Sequence, residues 1–310
     1  MVNSLRPRIV PAAFLAAFMA CTAPSWAEDI PKPVGEEAYS ILTAWYDYDA
    51  EIPLDARVVE LTETDTTVRR KVVFRGTRGF LVPGYLEFPK NAEPPYPCVL
   101  LCHGWSGGKQ NWWEDDNYIS GGAARKALVE KGYAVFALDA QGHGDRIAEN
   151  DYSVVNVYNE PGAPPRKNYF SLREVIVQTV VDYRRGIDYL AARGDIAMDR
   201  LGLLGYSMGG FHAIALTAVE PRIKLAAGCV IPVTWSEDPI LAPANYARGL
   251  RGRPYCMLMG GEDTLCNETQ AKQLYSLIEG PDTELHVYDA GHRLPVEYVP
   301  DAVAFIAGRL

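Results

Sequence analysis

Short apolar runs recur along this chain: Cys98–Cys102, Ala134–Leu138, Leu201–Leu204, Leu225–Ile231, Tyr255–Met259 and Glu284–Tyr288. A strand that is apolar on both faces has no side to turn to water. It must be covered above and below, the condition of a parallel sheet between two layers of helices. Helical patterns lie between the runs. Arg173–Ala192 places Ile176, Val180, Tyr183, Ile187 and Leu190 on one helix face. Ser171 and Glu174 form a capping box at its start, and Gly194 suits its end. Asn267 with Gln270 opens a second helix that stops at Gly280 and Pro281. Gly210–Val219, ended by Pro221, is a third, and a short helix is expected near Glu36–Trp45. Alternating strand and helix predicts an α/β domain with a mainly parallel central sheet and helices on both faces. Residues 68–88 alternate polar and apolar around Gly76 and Gly79, which predicts an antiparallel pair at one edge.

The first 27 residues have the layout of a signal peptide. Arg6 and Arg8 precede an apolar stretch, and Ser25 and Ala27 occupy the small positions before a cut after Ala27. The apolar stretch is about half the length of a membrane-spanning helix, so no stable membrane span is expected. Phe18 departs from a lipoprotein signal, which disfavours lipid attachment at Cys21. Residues 28–67 then read as an N-terminal extension and 68–310 as a single α/β domain. Two Pro-rich, aromatic segments, about 141–170 and 232–253, break the alternation as cap-like insertions. Both leave the C-terminal end of a strand, where open α/β sheets place their sites.

Export leads to an oxidising compartment. Cleavage after Ala27 leaves Cys98, Cys102, Cys229, Cys256 and Cys266, an odd set, so at least one is unpaired within the chain. Cys98 and Cys102 sit roughly 13 Å apart along one strand, too far to bond. Most of the cysteines are expected as small core residues. No C-x-x-C or His/Cys cluster in the sequence points to a metal, and no cofactor is expected. A net charge of −9 without a basic block excludes nucleic acid as a partner.

Glycines fence Ser207 in "LGLLGYSMGG", between an apolar run and a helical pattern. That strand–turn–helix context lets a sharp turn expose a nucleophilic serine, with Gly205 and Gly209 giving clearance. A serine needs a base, and on such a scaffold the order is serine, acid, histidine. Among His103, His143, His212, His286 and His292, only the last two come late enough. His286 lies inside the strand "ELHVYD"; His292 follows it on the loop "DAGHRLP", and is the expected base. The acid should leave the previous strand, where Glu262 and Asp263 follow "YCMLMG"; Asp263 is preferred. An oxyanion hole would use the backbone N–H groups of Met208 and of Trp105 in "HGWSGG". His103 and His143 are expected to shape loops and His212 to face the core.

Together "LLCHGWSGGK", "LDAQGHGDR", "LGLLGYSMGG", "MGGEDTLC" and "DAGHR" resemble the α/β-hydrolase superfamily, closest to its dienelactone-hydrolase and acetyl-xylan-esterase-like branch. The resemblance covers roughly residues 68–310. It implies the α/β-hydrolase fold with short cap loops, and a serine hydrolase acting on esters with Ser207, Asp263 and His292 as triad. Dienelactone hydrolases proper use cysteine as nucleophile, so their particular substrate does not carry over. The expected partner is a small-molecule or carbohydrate ester. Trp105, Trp112, Trp113, Tyr152, Tyr158, Tyr169 and Trp235 are expected around the mouth, with Trp105, Asp145, Arg146 and Trp235 as candidate substrate contacts. Asp145 and Arg146 read equally well as a loop-fixing ion pair. A serine peptidase or amidase of the same fold, and a non-catalytic binding module, are the alternative readings.

Overall fold

In a computed structural model, which describes residues 29–150 and 171–310, the apolar runs become strands of one sheet. They are β1 (Arg57–Glu63), β2 (Thr67–Arg75), β3 (Leu81–Pro89), β4 (Tyr96–Cys102), β5 (Ala134–Leu138), β6 (Ile196–Tyr206), β7 (Leu225–Cys229), β8 (Tyr255–Gly260) and β9 (Thr283–Tyr288). Their order across the sheet is β1-β2-β3-β5-β4-β6-β7-β8-β9. β1, β2, β3 and β5 meet antiparallel. From β5 through β4 to β9 every pairing is parallel. The expected mainly parallel sheet with an antiparallel N-terminal edge is therefore present.

The described helices are α1 (Glu36–Ala44), α2 (Gly121–Glu130), α3 (Asp145–Asn150), α4 (Leu172–Ala191), α5 (Met208–Val219), α6 (Glu268–Ile278) and α7 (Tyr298–Ala307). α4 opens with the Ser171–Glu174 capping box and α6 with that of Asn267 and Gln270. They cover both faces of the sheet. Successive side chains of a strand point to opposite faces. Cys98, Leu100 and Cys102 of β4 accordingly join a core with α4, α5 and α6, while Val99 and Leu101 join another with α2 and α7.

One strand has no counterpart in the sequence reading. Residues 57–63, which composition places in an N-terminal extension, form β1 and pair with β2. All its residues but Thr62 are exposed, so β1 is held by main-chain pairing and leaves no core pattern to read.

Of the two insertions, 232–253 packs into the core. Its 3-10 turns Pro239–Leu241 and Pro243–Leu250 bury Ile240, Leu241, Tyr246, Ala247 and Leu250. The N-terminal segment straps it down: the Tyr46 and Tyr246 hydroxyls lie 2.8 Å apart, and the Val34 N–H donates to Asn245 Oδ1 at 2.9 Å. Of the 141–170 insertion, residues 151–170 lie outside the described residues, as do the signal-peptide reading of 1–27 and Cys21. Among the described residues no helix is long and apolar enough to cross a membrane. Cys98, Cys102, Cys229, Cys256 and Cys266 are free and buried. Burial raises their thiol pKa values, that of Cys102 to about 12.

Candidate active site

β4 lies between β5 and β6, so the chain reverses its direction of travel across the sheet at β4. The crevice at the C-terminal ends of β4 and β6 is such a switch point, where open α/β sheets take ligands. Ser207 stands there, between β6 and α5. Its backbone is strained, at φ 59° and ψ −115°, a conformation that costs roughly 1–3 kcal/mol. The turn closes only without side chains at its flanks. A Cβ on Gly205 would sit 1.9 Å from the Gly209 carbonyl oxygen, and one on Gly209 would sit 2.0 Å from that of Cys102.

The strain holds the Ser207 hydroxyl against His292. Ser207 Oγ lies 2.7 Å from His292 Nε2, and His292 Nδ1 lies 2.8 Å from Asp263 Oδ2. Asp263 is buried and its Oδ1 accepts from the Leu265 N–H at 2.8 Å. A carboxylate at Nδ1 fixes the proton on that nitrogen and leaves Nε2 to accept from the serine. Glu262 is exposed, and His286 sits on β9 beside Glu284, 3.1 Å away. The structure thus brings Ser207, Asp263 and His292 together and leaves their sequence rivals apart.

The loop after β4 runs beside the serine: a Cβ on Gly104 would lie 3.4 Å from Ser207 Cβ. Met208 is the first residue of α5, so its N–H has no partner in the helix. Among the described residues, neither the Met208 nor the Trp105 N–H is hydrogen-bonded to a protein acceptor. His103 ties this loop to the one after β5. Its Nε2 accepts from the Ala140 N–H at 3.0 Å, so Nδ1 carries the proton and donates to the Gly104 carbonyl at 2.7 Å. Burial, with His143 nearby, lowers its pKa to about 4. His212 is buried in α5, as expected.

Asp145 and Arg146, candidate substrate contacts, both make ion pairs that fasten the loops. Arg146 is buried and pairs with buried Asp182 at 2.7 Å; it also reaches the Gln141 side chain. Asp145 Oδ2 lies 2.6 Å from Lys109 Nζ and 2.7 Å from Lys71 Nζ. Partial burial would raise the Asp145 pKa, but the two lysines hold it below the ordinary value. Trp112 is wholly buried in the core under α2 and α7, and Trp113 donates to Glu87 beside Tyr85. Neither borders the mouth. Tyr152, Tyr158 and Tyr169 lie outside the described residues. Trp105 and Trp235 remain, half-buried, with ring centroids 6.4 Å apart.

Three residues of the site were not legible in the sequence. Lys109 is buried and pairs with buried Asp139 at 2.6 Å, while its N–H donates to the other oxygen of that carboxylate at 2.7 Å. This locks the "HGWSGGK" loop to "LDAQGHGD". A lysine closing a glycine-rich motif was the available signal. The Tyr206 hydroxyl donates to the His292 carbonyl at 3.2 Å and accepts from the Leu294 N–H at 2.8 Å. Tyr118 stands half-exposed between Tyr206 and Arg293, its pKa raised by burial and by the nearby Asp263 charge.

Residues 99–253, half of the chain, match the model of the alpha/beta hydrolase family. The chain belongs to the alpha/beta hydrolase family. It is 25% identical to YtaP of Bacillus subtilis (strain 168) over 177 residues, 56% of each protein, so it spans little more than half of that relative's length. It is 23% identical to the esterase YjfP of Escherichia coli (strain K12) over 249 residues, 70% of this chain and 91% of YjfP. Its fold is that of the acetyl xylan esterase from Paenibacillus sp. R4, with a TM-score of 0.65 at 19% identity, covering 91% of this chain and 97% of that one.

Proposed function

We propose that this chain is an exported serine hydrolase that cleaves carboxylic esters through an acyl-enzyme. The observation that carries the reading is the continuous hydrogen-bonded line from Ser207 Oγ through His292 to buried Asp263, set on a strained turn. Ser207 Oγ attacks the ester carbonyl carbon as His292 Nε2 takes its proton. Asp263 stabilises the imidazolium so formed. The carbonyl oxygen becomes an oxyanion held by the N–H groups of Trp105 and Met208, at the N-terminal end of α5. Collapse breaks the ester C–O bond, and His292 gives its proton to the departing alcohol. Water then repeats the sequence: it loses a proton to His292, attacks the acyl carbon and releases the acid and Ser207.

For substrate we propose an acetyl ester borne on a carbohydrate. Trp105, next to Gly104 on the loop beside the serine, and Trp235, in edge contact with it, supply aromatic surface suited to a sugar ring. The likeness in fold to an acetyl xylan esterase supports the same reading. The N-terminal pattern around Arg6, Arg8 and Ala27 supports export, and the mass of the mature chain purified from an expressing cell tests it.

Turnover of a short p-nitrophenyl ester tests the chemistry. Ser207→Ala is expected to lower kcat by on the order of 10⁴–10⁶-fold and to abolish labelling by a fluorophosphonate. Undiminished turnover in that variant refutes the assignment. Acetylated xylo-oligosaccharides set against simple esters then test the substrate class.

A further inference from the structure

The start of β8 and the first four residues of β9 carry a second cluster of chemistry-bearing groups, away from the crevice. Cys256 of β8 stands opposite Glu284 of β9 in the parallel register, and His286 is two residues further along β9 on the same face. Donor atoms of Cys256, Glu284 and His286 lie within 4.8 Å of one another. No sequence motif announces this set, because strand register assembles it from positions nearly thirty residues apart.

We propose that Cys256, Glu284 and His286 bind a divalent transition metal of the zinc type, which clips the edge strand β9 to β8. The donors are a sulfur, a nitrogen and an oxygen, a set that suits zinc and leaves a fourth position of a tetrahedron for water. The spacing fits. Metal–nitrogen and metal–oxygen bonds of roughly 2.0 Å at a tetrahedral angle separate the two ligand atoms by about 3.3 Å. His286 Nε2 and Glu284 Oε2 are 3.1 Å apart, so an ion can take the place of their contact with almost no displacement of these two atoms, and the Cys256 sulfur, within 4.8 Å of both, closes onto it.

The surroundings are arranged as a ligand shell is. Metal-binding histidines orient their second nitrogen on a carboxylate. His286 Nδ1 faces Asp301 Oδ2 of α7 at 3.8 Å, and the Tyr288 hydroxyl donates to the same Asp301 oxygen at 2.6 Å. Arg309 holds the outer oxygen of Glu284, Oε1, at 2.7 Å and leaves Oε2 to the cluster. The carboxylates of Glu284 and Asp301, both beside His286, give the cluster a negative field. That same negative field attracts a dication, on whose binding the thiol releases its proton to water. Glu284 and His286 are both about one-third exposed, which gives the ion its entry.

Cobalt(II) is the probe, added to the full chain after treatment with a chelator. One equivalent is expected to give thiolate-to-cobalt charge-transfer absorption in the near ultraviolet, which zinc abolishes by displacement. Cys256→Ser should remove the absorption. Asp301→Asn should weaken binding by roughly 10–100-fold, and His286→Ala by at least as much. Zinc should raise the thermal midpoint of the wild-type chain and leave that of His286→Ala unmoved. If Cys256→Ser does not fold, the partly exposed His286→Ala and Glu284→Gln carry the test. Absence of the absorption overturns the proposal. So does absorption of unchanged affinity in His286→Ala, which would place the cobalt elsewhere.

Discussion

Replacing Tyr206 by phenylalanine removes one oxygen atom from beside the candidate site and leaves its shape intact. The ring keeps its edge contacts with Tyr118 and Tyr298, at centroid distances of 6.3 and 5.7 Å. What is lost is the pair of hydrogen bonds that hold the loop at and just after His292: one from the Leu294 N–H, one to the His292 carbonyl. Leu294 is 3% exposed, so its amide is left without water. A buried donor in that state costs about 1–3 kcal/mol, and the carbonyl beside partly exposed His292 costs less. We expect a loss of about 2 kcal/mol in urea unfolding followed by tryptophan fluorescence. The catalytic effect is separable from this. Tyr206 is fully buried, so KM on a short p-nitrophenyl ester should hold, while kcat falls roughly 10–100-fold as His292 loses its fixed position. A lowered urea midpoint with wild-type kcat would refute the argument that Tyr206 positions the base.

Lys109→Met leaves the Asp139 carboxylate buried without its cation, a loss of about 3–5 kcal/mol. Slackening of the loop that carries Trp105 should also lower kcat, and full activity in this variant would detach the loop from the oxyanion hole. Gly209→Ala places a methyl group 2.0 Å from the Cys102 carbonyl oxygen; soluble expression with wild-type turnover would contradict the described turn. His103 gives a pH dependence. Its pKa falls from 6.5 to about 4 on folding, so between these values the unfolded chain binds a proton that the folded chain refuses. Stability is therefore lost as pH falls through that window, by about 2 kcal/mol between pH 7 and 5 from this residue alone. The urea midpoint at the two pH values measures it, and a flat profile refutes it.

The layering of the fold was legible because it rests on one-dimensional patterns. Runs as short as Ala134–Leu138, between polar and glycine-rich flanks, have the length of buried strands rather than helices, and a capping box such as Ser171–Glu174 marks a helix start locally. The candidate triad was legible for a related reason: serine, acid and histidine each follow a strand, and chain order selects among the rivals. What escaped was held by partners distant in sequence. β1 is stabilised by pairing rather than by burial, and so has no apolar period. Arg146 at a strand's end looks like a substrate contact until Asp182, thirty-six residues on, is found against it. Trp112 and Trp113 differ by one position from each other, yet lie in different environments, and composition weighs them alike. The role of Tyr206 depends on a loop eighty-eight residues away.

Asp263 and His292 hang from the C-terminal ends of β8 and β9, and β9 is an edge strand of the sheet. On the proposed function, turnover is therefore a gauge of the sheet's last seam. A chain that had assembled β2 through β7 would carry Ser207 on its turn, show most of the native backbone signal and yet hydrolyse nothing. Edge strands open at lower free energy than the centre of a sheet. Under mild denaturant the proposed hydrolysis should stop before the architecture dissolves, and on refolding it should return last.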